Sequence, residues 1–339
     1  MHNMNNNDAN REFVVIKDKK YFINEKNSLI LQNLGIHSLS ELEGLDNIAS
    51  SVHALYLENN AIENLDDLPF MVNLDTLCLD QNRLKVLEHL ENLPHIKVLT
   101  AGNNEINSLQ DIMTCISLEL LDLTNNRITC IEYLDNLLSL EELSLRMNSI
   151  REIENLDFLT RLKTLLLSNN EITKVKGLEY AKDLETFWID NNQLTSIDGL
   201  VGCTKLDELN IQNNQVDNVD VLEHMMNLRE LHAEHNNIKS LPPLDSFMHF
   251  DYDGFSGSFY FSYNQIETII IDHDIIVGEL HLDHNRITDP SWISKIWTSP
   301  DNLYISGNPF TPDVDTVFDE FQARWMAGEG NPWNMPRDN

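Results

Sequence analysis

The stretch LKTLLLSNNEI, residues 162–172, decides the fold of this chain. Leucines stand at its first, fourth and sixth positions, an asparagine at its ninth and an isoleucine at its eleventh. The asparagine recurs at eight successive intervals of 22 residues, at Asn60, Asn82, Asn104, Asn126, Asn148, Asn170, Asn192, Asn214 and Asn236. Intervals of 28, 21 and 23 residues extend the series to Asn264, Asn285 and Asn308, and a degenerate unit around Leu29–Ile36 precedes it. The chain therefore contains about thirteen copies of one unit.

Each unit predicts a short strand followed by a sharp turn. The apolar residues at positions 4 and 6 alternate with positions 3, 5 and 7, which is the period of a half-buried strand. The asparagine follows where the chain turns, and its amide can satisfy backbone groups there. About eleven residues then return to the next strand, too few for a strand and a long helix. One unit cannot bury its leucines alone, so we expect stacked units with one continuous core.

This spacing resembles the leucine-rich repeat family, and the 22-residue unit resembles its SDS22-like class. The resemblance implies an α/β solenoid, a horseshoe with a parallel concave sheet and short 3-10 or helical turns on the convex side. It also implies that partners bind the concave face. SDS22-like proteins include a regulator of a serine/threonine phosphatase, but only the scaffold matches here, so no partner-specific residue is carried over.

The repeats predict one continuous domain with two capped ends. We expect a disordered tail over residues 1–10 and an N-terminal hairpin cap over 11–25, where FVVIKDKKYFI alternates on both sides of a Lys-Asp-Lys-Lys turn. The repeats occupy 26–310. A C-terminal helical cap and tail occupy 311–339, with Thr311 as the helix N-cap, Pro312 at its first position and Gly328 at its end.

The bulk composition limits the classes of partner. The net charge of −32 opposes binding to nucleic acid or to an anionic membrane surface. No run of about 18 apolar residues predicts a membrane span. The four cysteines form no CxxC pair, and the polar N-terminal stretch lacks the apolar core of a secretory signal. We expect a cytoplasmic protein that is monomeric when unbound, with secretion as an effector left open.

The outward positions 3, 5 and 7 define the predicted partner-binding face. Ten acids stand there against one base, Arg146; the acids are Glu58, Asp80, Asp122, Glu142, Asp190, Glu208, Glu230, Glu234, Glu279 and Asp283. The predicted binding residues are Tyr56, Asp122, Arg146, Trp188, Asp190, Glu208, Asn210, Glu230, His232, Glu234, Tyr260, Glu279, His281, Asp283 and Tyr304. Acids around aromatic anchors are the composition expected for recognising a basic protein surface.

An insertion adds about six residues to the unit after Asn236. It contains four aromatic residues, Phe247, Phe250, Tyr252 and Phe255, which is unusual for a loop. Insertions in repeat proteins often lie at binding sites. We therefore include these four residues in the predicted binding surface, with local packing as the alternative.

Two similar segments, ELHAEHNNI at 230–238 and ELHLDHNRI at 279–287, bring histidines and carboxylates together. They leave open a metal- or small-ligand site, although a third ligand for tetrahedral zinc is not evident. No catalytic motif is present, and an open concave face lacks the enclosed pocket of an enzyme. The sequence therefore predicts a non-catalytic protein-interaction module without a cofactor: an inhibitor, adaptor or regulatory subunit. A host-directed effector is the remaining alternative, and histidines in the face would make binding pH-dependent.

Overall fold

The computed structural model describes residues 11–248, 257–311 and 314–328. The chain divides into two compact units, the N-terminal unit Met1–Thr164 and the C-terminal unit Leu165–Asn339. The predicted disordered tail at 1–10 and the last residues from 329 onward lie outside the described residues, as does Pro312.

The N-terminal unit begins with a hairpin. Strands β1 (Phe13–Ile16) and β2 (Lys19–Phe22) pair antiparallel. Lys17 and Asp18 both adopt left-handed backbone conformations, with φ of 50° and 63°. Two consecutive left-handed residues match the twist of a two-residue hairpin turn, so the turn is shorter than the four-residue segment expected from sequence.

Short parallel strands follow, one per repeat. They are β3 (Ser28–Ile30), β4 (Ala54–Tyr56), β5 (Thr76–Cys78), β6 (Val98–Thr100), β7 (Leu120–Asp122) and β8 (Glu142–Ser144), and β9 (Thr164–Leu166) spans the boundary of the two units. Strands β3 to β8 pair in chain order, and the repeats around them contain α1 (Leu45–Ile48) and 3-10 helices at Leu39–Glu41, Leu90–Asn92 and Gln110–Thr114.

The C-terminal unit repeats this arrangement. Its strands are β10 (Thr186–Trp188), β11 (Glu208–Asn210), β12 (Glu230–His232), β13 (Ser258–Tyr260), β14 (Ile275–Ile276), β15 (Glu279–His281), β16 (Ile296–Trp297) and β17 (Leu303–Tyr304). The parallel order is β10-β11-β12-β13-β15-β17, while β14 and β16 form a separate parallel pair. Its 3-10 helices are Asp198–Leu200, Asp220–His224, Leu244–Ser246, Ser291–Lys295 and Pro300–Asn302. The predicted solenoid of parallel strands with short 3-10 turns is confirmed.

The repeated leucines and asparagines hold each unit together. In each of β3 to β13, and in β15, the middle residue has an apolar side chain that is at most 1% exposed, such as Leu209. The asparagine side chains form a ladder beside this core. Asn192 is typical: its Nδ2 donates to the carbonyl oxygens of Leu167 and Ile189 at 3.0 and 3.1 Å, and its Oδ1 accepts from the Ile172 amide at 2.9 Å. Each asparagine thus joins its own turn to the preceding repeat.

The residue before each ladder asparagine, position 8, has a left-handed backbone. In the C-terminal unit these residues are Asn169, Asn191, Asn213, His235, Tyr263, His284 and Gly307, with φ between 54° and 74°. Asparagine tolerates this conformation best after glycine. A histidine or tyrosine there is the less usual choice, and three of them are consecutive.

A helix, α2 (Val314–Met326), follows the last repeat, and Gly328 beyond it has φ of +69°. The amide of Val314 donates to the Thr311 carbonyl oxygen at 3.2 Å. Phe321 is buried, while Val314, Val317, Phe318 and Trp325 are half-buried. The helix therefore has one partly covered apolar face, as its sequence indicates.

The insertion requires a correction at Phe247. This ring is fully buried and meets the ring of Phe259 edge-on, with centroids 5.8 Å apart. It is a core residue and cannot contact a partner in this conformation, because an apolar ring gains more from burial than from an exposed loop. Phe250, Tyr252 and Phe255 lie outside the described residues.

Candidate binding surface

Four rings stack along the outward side of the C-terminal unit. We call them the ring ladder: His232, Tyr260, His281 and Tyr304. The rings of His232 and Tyr260 are nearly parallel, with centroids 4.5 Å apart and an angle of 2° between their planes. Tyr260 and His281 are 4.6 Å apart and tilted, and His281 stacks on Tyr304 at 3.9 Å.

Strand register produces this ladder. β12, β13, β15 and β17 place the four residues directly opposite one another. Neighbouring strands are about 4.8 Å apart, which is close to the separation of stacked rings. The strand register therefore brings each of the four rings within 3.9–4.6 Å of the next.

The imidazole of His232 lies between two carboxylates. Its Nε2 is 2.9 Å from Glu230 Oε1, and its Nδ1 is 3.6 Å from Glu234 Oε1. Hydrogen bonding to Glu234, followed by that to Glu230, raises the pKa of His232 to about 9, against the opposing effect of burial. His232 is thus an imidazolium at neutral pH and holds both carboxylates in place.

Tyr260 and His281 share the next carboxylate. The Tyr260 hydroxyl donates to Glu279 Oε2 at 2.9 Å, and His281 Nε2 is 3.4 Å from the same oxygen. Burial, with the negative charge of Glu279 beside it, raises the pKa of Tyr260 to about 12. The hydroxyl therefore stays protonated and fixes Glu279 on one side of the ladder.

The other predicted acids of this unit are also hydrogen-bonded from within the surface. Trp188 Nε1 donates to Glu208 Oε1 at 2.7 Å, and burial raises the pKa of Glu208. Ser168 Oγ donates to Asp190, and Ser262 Oγ donates to Asp283. These donors orient all three side chains. Asp190 is buried, whereas Glu208 and Asp283 are half-buried and, since a carboxylate accepts up to about four hydrogen bonds, retain acceptor capacity toward a partner.

The remaining predicted residues occupy two places. Asn210 lies on β11 between Trp188 and His232, and its Oδ1 accepts from the Gln212 amide at 3.1 Å. Tyr56, Asp122 and Arg146 belong to the N-terminal unit, on β4, on β7 and just after β8, so they form no part of the ring ladder.

A second row of rings, which the sequence analysis missed, runs beside the first. His235, Tyr263 and His284 stack with centroids 4.5 and 4.4 Å apart and angles of 10° and 12°. All three occupy the left-handed position 8 and are exposed. The signal was present in the sequence, because His235, Tyr263 and His284 occupy position 8 of three consecutive repeats. We call them the second row.

Gly307 is the next residue in this column and lies against the His284 ring. A Cβ at Gly307 would come within 2.6 Å of His284 Nδ1. We expect Gly307→Ala to lower the free energy of unfolding by about 1–2 kcal/mol, because it adds left-handed strain and displaces the ring. Chemical denaturation monitored by circular dichroism measures the change.

Gly328→Ala is the matched control for Gly307→Ala. Gly328 also has a left-handed backbone, with φ of +69°, but a Cβ there would meet nothing within 4 Å. Backbone strain is then common to both variants, and only Gly307→Ala disturbs the second row. Equal losses of stability in the two variants would contradict a contribution from the ring contact.

The described residues contain one group of three side chains whose ligand atoms lie within 4.8 Å of one another: Asp66, Glu88 and His89. Asp66 and Glu88 are exposed, and the group belongs to the N-terminal unit. It does not include the histidines of the segments 230–238 and 279–287. Clusters of exposed acids are common without an ion, so this group alone does not define a metal site.

Comparison with known proteins agrees with the repeat pattern. The family described as Leucine Rich repeats (2 copies) matches residues 160–201 and 182–224. No curated protein matches. The chain thus has the leucine-rich repeat fold, and residues 160–224 match the repeats of that family.

Several solved structures share the fold. A leucine-rich repeat protein of Leptospira interrogans has a TM-score of 0.70 at 22% identity, covering 82% of this chain and 73% of its own. The internalin InlF of Listeria monocytogenes has a TM-score of 0.64 at 20% identity, covering 80% and 85%. The LRIM1/APL1C complex has a TM-score of 0.59 at 19% identity, covering 83% and 48%. At these identities the likeness concerns the fold alone.

Among the described residues, no helix has the length and apolar character needed to cross a bilayer.

Proposed function

We propose that this chain is a non-catalytic protein-interaction module that binds a basic protein partner through the outward face of its strands. The observation that carries this proposal is the ring ladder with carboxylates fixed on both sides. Glu230 and Glu279 lie on one side of it, and Glu234 and Asp283 on the other. Rigid aromatic anchors beside oriented charges lose little conformational entropy on binding, which favours them as interface residues.

Several features support the finer parts of the proposal. Leucine-rich repeats commonly mediate protein–protein contacts, and LRIM1 and APL1C form a complex with each other. The 22-residue unit with 3-10 turns supports assignment to the SDS22-like class. The four cysteines are free, in keeping with a reducing cytoplasmic location. The role as inhibitor, adaptor or regulatory subunit, and the monomeric unbound state, belong to the same proposal.

The geometry favours a protein partner over a metal. A metal site needs several ligand atoms that converge on one point. The two ring nitrogens of His232 face different carboxylates, and the described residues of the ladder contain no three ligand atoms within 4.8 Å of one another. His232 and His281 are also separated by the ring of Tyr260. The two segments therefore form parts of one stacked surface.

Capture from an extract of the source cells tests the proposal. The variant carries Glu230→Gln, Glu279→Gln and Asp283→Asn, which remove three charges beside the ladder and keep the side-chain shapes. We expect its capture of the partner to fall by about tenfold or more, and capture by the unaltered chain to fall with rising salt, because oriented carboxylates attract basic groups. Quantitative mass spectrometry of the captured proteins measures both effects.

The control variant carries Glu179→Gln, Glu223→Gln and Glu267→Gln. These three exposed acids also belong to the C-terminal unit but lie away from the strands. The control loses the same net charge, so a general effect of charge would weaken both variants alike. Equal capture by the two variants, or capture that does not change with salt, would rule out the proposed surface.

A further inference from the structure

A groove of about 530 Å³ opens between β17 and α2, at the end of the C-terminal unit. The turn after β17, residues 305–308, forms one side of it. Phe310 and the helix residues Val314 and Phe318 form the other. The sequence gives no sign of this space, because it arises where the helix lies beside the last strand.

Tyr304 ends the ring ladder inside this groove. One face of its ring stacks on His281 at 3.9 Å. Among the described residues β17 is the last strand in the sheet order, so none of their strands covers the other face. Tyr304 is 43% exposed and lines the groove. A stacking surface therefore ends at an open position.

Two carboxylates stand on the helix side of the groove. Asp315 and Asp319 are four residues apart, so they lie one turn apart on the same side of α2. Both are exposed, and neither lysine nor arginine occurs among the described residues that line the groove. The lining thus combines apolar and aromatic walls with uncompensated negative charge.

This combination selects the chemistry of the occupant. An apolar ligand would leave the two carboxylates without a counter-charge, and a small cation would leave the aromatic walls unused. A side chain with an apolar stem and a cationic head satisfies both. Arginine fits better than lysine, because its planar guanidinium stacks on aromatic rings and pairs with carboxylates through two parallel hydrogen bonds.

We propose that the groove between β17 and α2 binds an arginine side chain of the protein partner, with the guanidinium stacked on Tyr304 and paired with Asp315 or Asp319. The inference rests on the proposed function, since it presupposes a basic protein partner. It adds a defined pocket at one end of the ring ladder, where a single arginine anchors the partner while the carboxylates along the ladder meet its remaining basic groups.

Peptide titration of the full chain tests the pocket without the partner. The probes are Gly-Gly-Arg-Gly-Gly and the same peptide with lysine or citrulline at the centre. Citrulline keeps the planar head and removes the charge. Methyl NMR of Ile305 and Val314 reports on the groove, and Val201, just before β11 in the same unit, serves as a reference several strands away. We expect the arginine peptide to shift the two groove methyls and to bind about tenfold more tightly than the citrulline peptide.

Two double variants locate the binding. The variant with Asp315→Asn and Asp319→Asn is expected to bind the arginine peptide about tenfold more weakly. Glu223→Gln with Glu267→Gln loses the same charge elsewhere in the unit and is expected to have no effect. The proposal is overturned if the chain binds the arginine peptide no more tightly than the citrulline or the lysine peptide. It is also overturned if the aspartate variant binds the arginine peptide as the unaltered chain does, or if the methyl signals of the groove do not shift.

The aspartate variant also separates this inference from the proposed function. If it captures the partner as well as the unaltered chain does, while the variant at Glu230, Glu279 and Asp283 does not, the arginine pocket fails and the strand-face proposal stands. If the arginine peptide binds the groove but altering the strand face leaves partner capture unchanged, the strand-face proposal fails instead.

Discussion

Replacing Asn192 with alanine is expected to lower the free energy of unfolding of the C-terminal unit by roughly 3–4 kcal/mol. The carbonyl oxygens of Leu167 and Ile189 would lose a donor, and the Ile172 amide would lose its acceptor. Asn192 is only 9% exposed, so water cannot readily replace the side chain. Buried polar groups left without partners are among the most costly local defects in a folded protein.

Urea denaturation followed by tryptophan fluorescence measures this loss, because all five tryptophans lie in residues 165–339 and report on that unit. Gln193→Ala is the control: it deletes a neighbouring side-chain amide that is exposed. We expect the control to change stability by less than about 0.5 kcal/mol. Similar losses in both variants would mean that the ladder asparagine contributes no more than a surface amide.

The sequence could predict the strands because their side chains obey one rule in every repeat. Even after the 28-residue interval, the alternation around Phe259 places a strand at Ser258–Tyr260, as the structure has it. It also follows that His232, Tyr260 and His281 are neighbours, since position 5 of one repeat faces position 5 of the next. The repeat spacing alone predicts which residues are neighbours, because strand register does not depend on side-chain conformation.

The details of the site depend on side-chain conformation, which periodicity does not determine. Nothing in the spacing shows that Glu230 and Glu234 both turn toward His232, or that Tyr260 donates to Glu279. The aromatic insertion was misjudged at Phe247 for a related reason. An aromatic residue in a long loop has the same sequence signature whether its ring lies in solvent or, as here, against Phe259 in the core.

The hypothesis of pH-dependent binding through the histidines also changes in the light of the structure. An unperturbed histidine changes charge near neutral pH. His232 does not, because its two carboxylate neighbours raise its pKa to about 9. Its charge in the folded protein is therefore constant across the neutral range.

We expect His232 to contribute about 2–3 kcal/mol of stability that is lost as the pH rises from about 6.5 to about 9. The folded protein binds the imidazole proton more tightly than the unfolded chain, so the contribution is complete below the unfolded pKa and disappears above the folded pKa. The groups that face His232 are Glu230, Glu234 and Glu208, with Tyr260 stacked on its ring. We place the value below the full equivalent of the pKa shift because the His232 side chain is 27% exposed and solvent weakens its ion pairs.

Comparing the unaltered chain with His232→Gln isolates this contribution from the many other groups that titrate. The difference in unfolding free energy between the two should be largest at pH 6 and should fall toward zero by pH 10. His224→Gln, at an exposed histidine of the same unit, should show no such trend. NMR titration of the His232 ring gives the pKa directly. A midpoint near 6.5 would show that the two carboxylates do not hold the imidazolium, and the ladder would then carry one positive charge fewer at neutral pH.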